Sequence, residues 1–286
     1  MPERTEFSVR FSLIGGIFML WNAQNGSVTL GDAVMEYAAF GRGSRTLVLL
    51  PGLGDGLRSV KGTALPMAFL YRRFAKNFRV LMFSRKRPLE EGSTTRDMAK
   101  DVAAALKILG VERASVVGVS MGGMIAQHLA IDHPELVEKL VPVVTCPCPN
   151  PILEDAVDAW TDMALRGDHR ALMVDNGKRI YSDGYLEKYG WMFPVAATFT
   201  KPRSYRQFLI MAKACRTHDA REGLGRIAVP TLVLGGEQDK TLGGQASRDL
   251  AAAIPGARLK MYPHYGHGLY DEAADFLQTV LDFLKE

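Results

Sequence analysis

Residues 114–131 read ASVVGVSMGGMIAQHLAI, and this stretch decides the fold. Ala114 to Val119 is a short apolar run, the pattern of a strand buried on both faces of a parallel sheet. Met121 to Ile131 reads as a helix that stops ahead of Pro134. Between them, Gly118-Val119-Ser120-Met121-Gly122 fits G-x-S-x-G. The pattern is weak alone and becomes specific when a strand enters it and a helix leaves it. Such a turn is strained, and Gly118 and Gly122 let neighbouring backbone approach without a Cβ clash. Ser120 then stands at a helix N-terminus, where developing negative charge is favoured. The plainer reading is an N-capping serine in a tight turn.

The alternation of strand and helix extends outward. Thr46 to Leu50 is a buried strand, broken by Pro51-Gly52-Leu53-Gly54-Asp55-Gly56. Phe69 to Phe78 reads as a helix and Arg79 to Phe83 as the next strand. Thr94 to Leu109 is an amphipathic helix with Met98, Val102, Ala105, Leu106 and Leu109 on one face, capped at Thr94-Thr95 and ended by Gly110. Lys139 to Val144 is a further strand, so right-handed βαβ units on a parallel sheet are expected. Before them, Val28 to Phe40 reads as a hairpin turning at Gly31-Asp32. After Pro147, Pro149 and Pro151 the character changes. Ile152 to Gly167 and Ser204 to His218 look helical with no buried strand between them, which predicts a helical insertion rich in Met, Trp and Tyr. Pro230 to Leu234 resumes the strand pattern, followed by a helix at Ala246 to Ile254, a strand at Arg258 to Tyr262 and a helix at Asp271 to Leu284.

Composition narrows the classes. The chain has 286 residues, 47% hydrophobic and 23% charged, an ordinary globular balance with enough length for a full core. The net charge is +4, but the basic residues are interspersed with acidic ones apart from Arg85-Lys86-Arg87, which argues against a nucleic-acid partner. Cys146, Cys148 and Cys215 are an odd number without framework spacing, so buried free thiols are expected rather than a disulfide scaffold or metal site. Phe11 to Trp21 is apolar but too short to span a bilayer. Glu3 and Glu6 offset Arg4 and Arg10, and no clear small-residue cleavage site follows. The expectation is a cytoplasmic protein without stable membrane insertion, with residues 1–25 an extra strand or extension and a secretory signal the alternative.

A serine needs a base to become a nucleophile at neutral pH. Of six histidines, His128 and His133 fall on or beyond the helix after Ser120, and His169 and His218 in or beside the insertion. His264 and His267 follow the final predicted strand, where an open sheet places its sites. His267, between Gly266 and Gly268, has the freer loop to turn inward and is the expected base, with His264 the alternative. The orienting carboxylate is expected in Gly235-Gly236-Glu237-Gln238-Asp239, with Asp239 favoured over Glu237 for its shorter side chain and its place further beyond the strand. The chain order Ser120, Asp239, His267 completes the arrangement. Two backbone N–H groups must stabilise an oxyanion, and Met121 and Leu53 are the candidates. The loop at Pro51 to Gly54 lacks G-x-G-x-x-G spacing, so a nucleotide loop is discounted.

The segments PGLGDG, GVSMGGMIAQHLA, VPTLVLGGEQD and YGHG together resemble the α/β-hydrolase fold, over roughly Val28 to the C-terminus. The resemblance implies an α/β architecture: a mostly parallel eight-stranded sheet with helices on both faces and a helical cap. The core would span 26–146 and 223–286, with the cap at 147–222. It implies a serine hydrolase of a small to medium, largely apolar ester or lactone, working through an acyl-enzyme without cofactor or metal. Triad-dependent carbon–carbon hydrolysis, perhydrolysis, a lyase step and a non-catalytic binding role are the alternatives. Two departures stand out. Pro51 replaces a histidine common in the oxyanion loop, which leaves backbone donors intact. Phe83-Ser84-Arg85-Lys86-Arg87-Pro88 stands where Asp-x-Arg-Gly is frequent, and Arg85 there is expected on a solvated loop, or else facing an anionic substrate.

Overall fold

The computed structural model of the protein describes residues 20–286. The apolar run from Phe11 lies, up to residue 19, outside the described residues. Strand β1 (Gln24–Leu30) turns at Gly31, whose φ of 61° suits glycine, and pairs antiparallel with β2 (Ala33–Phe40). The sheet therefore takes in Gln24 and Asn25, two residues that the sequence reading left in the N-terminal extension.

Six more strands follow: β3 (Arg45–Leu50), β4 (Phe78–Phe83), β5 (Ala114–Val119), β6 (Val137–Val143), β7 (Leu232–Gly236) and β8 (Arg258–Tyr262). Their order is β1-β2-β4-β3-β5-β6-β7-β8, parallel from β4 onward. The strands are continuous apolar runs because both faces are covered. Val48, Leu50, Leu81 and Val116 share one core with Met98, Val102, Met124 and Ile125 of helices Thr95–Ile108 and Met121–Asp132. Leu47, Leu49, Val80 and Val117 point the other way, onto Ala68, Phe74, Val280 and Leu284. Burying each of these Val, Leu, Ile, Met and Phe side chains contributes about 1.5–3 kcal/mol.

The strand order reverses at β3, which has β4 on one side and β5 on the other. The chain leaves both β3 and β5 at this switch point, where Leu50 pairs with Gly118, so the loop at Pro51 and the turn at Ser120 emerge side by side.

Residues between β6 and β7 form the expected helical insertion. Helices Pro151–Leu165 and Arg206–Arg216 match the two read from sequence. Three more, His169–Ile180, Asp183–Tyr189 and Met192–Thr200, lie between them. Asn150, Asp168 and Ser182 cap three of the five through side-chain oxygens.

Two helices differ from the expected bounds. The one read as Phe69–Phe78 begins at Ala64, breaks at Tyr71 and ends at Ala75. Pro66 falls in its first turn, where a missing N–H costs nothing. The final helix is split into Leu269–Glu272 and Phe276–Lys285 by extended backbone at Ala273. Cys146 and Cys215 are buried free thiols as expected, while Cys148 is half-buried. Among the described residues no helix is long and apolar enough to cross a membrane, and no group of three or more His, Cys, Asp or Glu is placed to hold a metal.

Two stability predictions arise from this core. Thr94 and Asp97 cap helix Thr95–Ile108 reciprocally, so Thr94→Ala should cost about 1 kcal/mol in denaturant unfolding. His218 is buried with Nδ1 2.9 Å from Thr95 Oγ1. Burial first, and neighbouring His128 second, depress its pKa to about 3 from the ordinary 6.5. The unfolded chain then takes a proton that the folded one refuses as pH falls below 6.5, so this site loses stability over that descent. The unfolding free energy of His218→Gln should fall less steeply than that of the wild type between pH 6.5 and 5.

Candidate active site

Ser120 sits between β5 and helix Met121–Asp132 with φ 54° and ψ −120°. A non-glycine residue there costs on the order of 1–3 kcal/mol and persists only when its surroundings enforce it. Here they do. Ser120 N–H donates to the Val143 carbonyl (2.9 Å), and its own carbonyl accepts from Gly123 N–H (2.8 Å) and Met124 N–H (3.2 Å). A Cβ on Gly122 would lie 1.9 Å from the Leu50 carbonyl oxygen, and one on Gly118 2.4 Å from that of Gly122. Both glycines are there for close approach. The N–H of Met121 is the first of the helix, one of the donors a helix leaves without an internal acceptor.

Asp239 and His267 meet beyond β7 and β8. His267 Nδ1 is 2.8 Å from Asp239 Oδ2, and both side chains are almost fully buried. Asp239 Oδ1 accepts from Thr241 N–H (2.8 Å) and Leu242 N–H (3.0 Å), which orients the carboxylate. Glu237 instead pairs with Arg248 at the surface, and His264 is exposed. Gly266 and Gly268 do not supply loop freedom through unusual dihedrals, as Gly268 has φ −83°. They supply room. A Cβ on Gly266 would lie 2.8 Å from the Gln238 carbonyl oxygen, and one on Gly268 2.9 Å from the Tyr181 ring. Gly268 N–H also donates to the Ile180 carbonyl (2.7 Å), tying the His267 loop to the helical insertion.

Leu53 lies in the turn after β3, and a Cβ on Gly52 would stand 3.3 Å from Ser120 Cβ. The loop is held from below by a network absent from the sequence reading. Asp55 is buried and accepts from Ser84 Oγ (2.5 Å) and Arg85 N–H (2.8 Å). Ser84 Oγ in turn accepts from Val60 N–H (2.8 Å). Arg85 is only 1% exposed and is not among the residues lining the cavity of Ser120 and His267, so the expected solvated loop is not what the structure shows. Its guanidinium donates to the carbonyls of Pro51 and Phe83, and Arg87 donates to that of Asp55. Burial lowers the Arg85 pKa, with the Asp55 charge opposing that shift. Arg85 is a strut beneath the loop carrying Leu53.

Ser120, His267, Gly52 and Leu53 line one cavity of about 400 Å³, roofed by Trp160, His169, Met173 and Tyr181 of the insertion. Among the described residues no hydrogen bond joins Ser120 Oγ to His267, and such contacts often tighten only with substrate bound. His169, which the sequence places only in or beside the insertion, stands in the cavity wall. Its Nε2 is 3.1 Å from Thr200 Oγ1, whose proton goes to the Ala196 carbonyl (2.8 Å). His169 therefore donates through Nε2 and keeps Nδ1 as an acceptor. Burial, then Lys201, lowers its pKa and favours the neutral ring.

Comparison with known proteins agrees with the fold. The model of the alpha/beta hydrolase family matches residues 47–279, and the chain belongs to that family. It is 26% identical over 273 residues to a putative carbamate hydrolase RutD from Stutzerimonas stutzeri, covering 88% of this chain and 97% of that protein. It is also 26% identical over 276 residues to a 2-hydroxy-6-oxononadienedioate/2-hydroxy-6-oxononatrienedioate hydrolase from Paraburkholderia xenovorans, covering 89% and 91%. The solved enol-lactonase from Burkholderia xenovorans LB400 superposes with a TM-score of 0.77 at 22% identity, over 91% of this chain and all of that one.

A paired substitution tests the packing of the Ser120 turn. Gly122→Ala should destabilise by about 3 kcal/mol or more, because its Cβ meets backbone that cannot yield. Gly184→Ala, in a helix with open space around it, should stabilise by about 0.5–1 kcal/mol. Thermal unfolding of the two variants reads the contrast.

Proposed function

We propose that the chain is a serine hydrolase acting on an ester or lactone of a small to medium, largely apolar substrate. The observation that carries this reading is the buried 2.8 Å Asp239–His267 contact, beside a backbone-strained Ser120 in the same cavity. His267 Nε2 accepts the Ser120 hydroxyl proton as Oγ attacks the acyl carbon. Asp239 holds the imidazole tautomer through Nδ1 and stabilises the imidazolium. The N–H groups of Leu53 and Met121 take the developing oxyanion. His267 returns the proton to the leaving oxygen, then activates water to hydrolyse the acyl-enzyme, and no cofactor or metal enters these steps. Residues 147–222 act as a cap that shapes the substrate site, and the core comprises the strands before and after them.

The named relatives support acyl-type hydrolysis from two directions, a putative carbamate hydrolase and an enol-lactonase. A second reading, carbon–carbon bond hydrolysis by the same three residues, draws support from the relative named for 2-hydroxy-6-oxononadienedioate. Product analysis separates the two readings.

Ser120→Ala and His267→Ala should each lower kcat/KM on 4-nitrophenyl butyrate by at least about 10³-fold. His264→Ala, at an exposed position, should stay within about twofold of wild type. Retained activity in Ser120→Ala would overturn the proposal.

A further inference from the structure

The cavity holding Ser120 and His267 meets a second chamber of about 450 Å³, and Pro51, Gly52, Arg58, Val119 and Tyr270 line both. The second chamber is mostly apolar, walled by Met67, Phe74, Met82, Val117 and Phe276. Among the described residues that line either space, Arg58 is the only basic side chain other than the two histidines.

The charged groups around it are engaged. Both carboxylate oxygens of Asp55 are taken by Ser84 and Arg85. Arg85 and Arg87 donate to backbone carbonyls, Lys61 pairs with Glu36 (2.8 Å) and Lys86 with Asp101 (3.0 Å). Arg58 is exposed at the cavity mouth, and among the described residues its guanidinium makes no ion pair or side-chain hydrogen bond. Its backbone belongs to the Leu53 loop. Arg58 N–H donates to the Gly54 carbonyl (3.1 Å), as does Leu57 N–H (3.0 Å), and Asp55 N–H donates to that of Gly52 (3.2 Å). The backbone carrying the guanidinium is therefore fixed relative to the proposed oxyanion donors.

A cation at the mouth of a low-dielectric cleft concentrates anions there. A guanidinium offers a fork of two parallel N–H groups that matches a carboxylate. A lone guanidinium balances the single charge of a carboxylate, whereas the second charge of a phosphate monoester would stand unpaired. We propose that Arg58 receives a carboxylate of the substrate, which is then an ester or lactone of an acid bearing a second, free carboxylate, with its hydrocarbon part in the apolar chamber. This rests on the serine-hydrolase reading above.

The test compares 4-nitrophenyl hydrogen glutarate, a monoanion, with its methyl-capped neutral diester, following 4-nitrophenolate release. The wild type should favour the anion in kcat/KM. Arg58→Gln should lower the anion-to-neutral ratio about tenfold, chiefly through KM. Arg58→Lys should keep part of the preference, and added salt should narrow the wild-type ratio. An equal ratio in wild type and Arg58→Gln overturns the proposal. A binding arm is independent of turnover. Ser120→Ala should bind monobutyl glutarate more tightly than butyl methyl glutarate by calorimetry, and Ser120→Ala/Arg58→Gln should lose that difference. Equal binding of the two ligands by Ser120→Ala also overturns the carboxylate assignment. Failure of wild type to release nitrophenolate from either ester would count against the hydrolase reading alone, with the binding arm still deciding the role of Arg58.

Discussion

The backbone of the Ser120 turn presses against the backbone leaving β3, and the geometry of the site depends on that contact. Gly122 has no room for a Cβ, because the Leu50 carbonyl oxygen would stand 1.9 Å away. The approach is possible only where two parallel strands end side by side, and the β3–β5 register supplies that place. It brings the Leu53 loop within van der Waals reach of Ser120 and holds the serine in a conformation it would not adopt alone. Hydrogen bonds from Gly123 and Met124 to Ser120, and from Ser120 to Val143, spread the strain over β6 and the following helix.

A second constraint acts from beneath. Asp55, Ser84 and Arg85 are buried together, which carries a desolvation cost that their hydrogen bonds offset only in part, since the buried Arg85 Nε has no partner among the described residues. What the arrangement contributes is position. The guanidinium grips the Pro51 carbonyl, and the carboxylate grips the strand end after β4. On the opposite side of the cavity, the Gly268 N–H to Ile180 carbonyl bond and the Ser182–Glu272 contacts fasten the insertion to the segment carrying His267. Elements distant in sequence thus converge on one 400 Å³ space.

Much of this was legible in the sequence because it is written locally. A strand buried on both faces is a continuous apolar run, so β3 through β7 could be read directly, and the Thr94 cap announces its own helix. Asp239 could be chosen over Glu237 by its place further beyond the strand and its shorter side chain, and His267 over His264 by its flanking glycines, and the structure puts the chosen pair in contact. Non-local features escaped. Arg85 lies in an Arg-Lys-Arg run that looks like surface, and only its partners 30 and 34 residues earlier reveal that it is buried. Gly266 and Gly268 looked like flexible spacers, yet both make room for approaching atoms. The break at Ala273 has no proline or glycine to announce it. His169 acquires its place in the cavity wall through the packing of five helices, which no local pattern encodes.

The central claim is that this geometry activates Ser120 as a nucleophile. Intact-protein mass spectrometry after treatment with a fluorophosphonate tests it most directly, with Ser120→Ala beside the wild type. The account predicts one stoichiometric adduct on the wild type and none on the variant. A folded wild-type protein that takes no adduct, or an adduct that persists in Ser120→Ala, would contradict it.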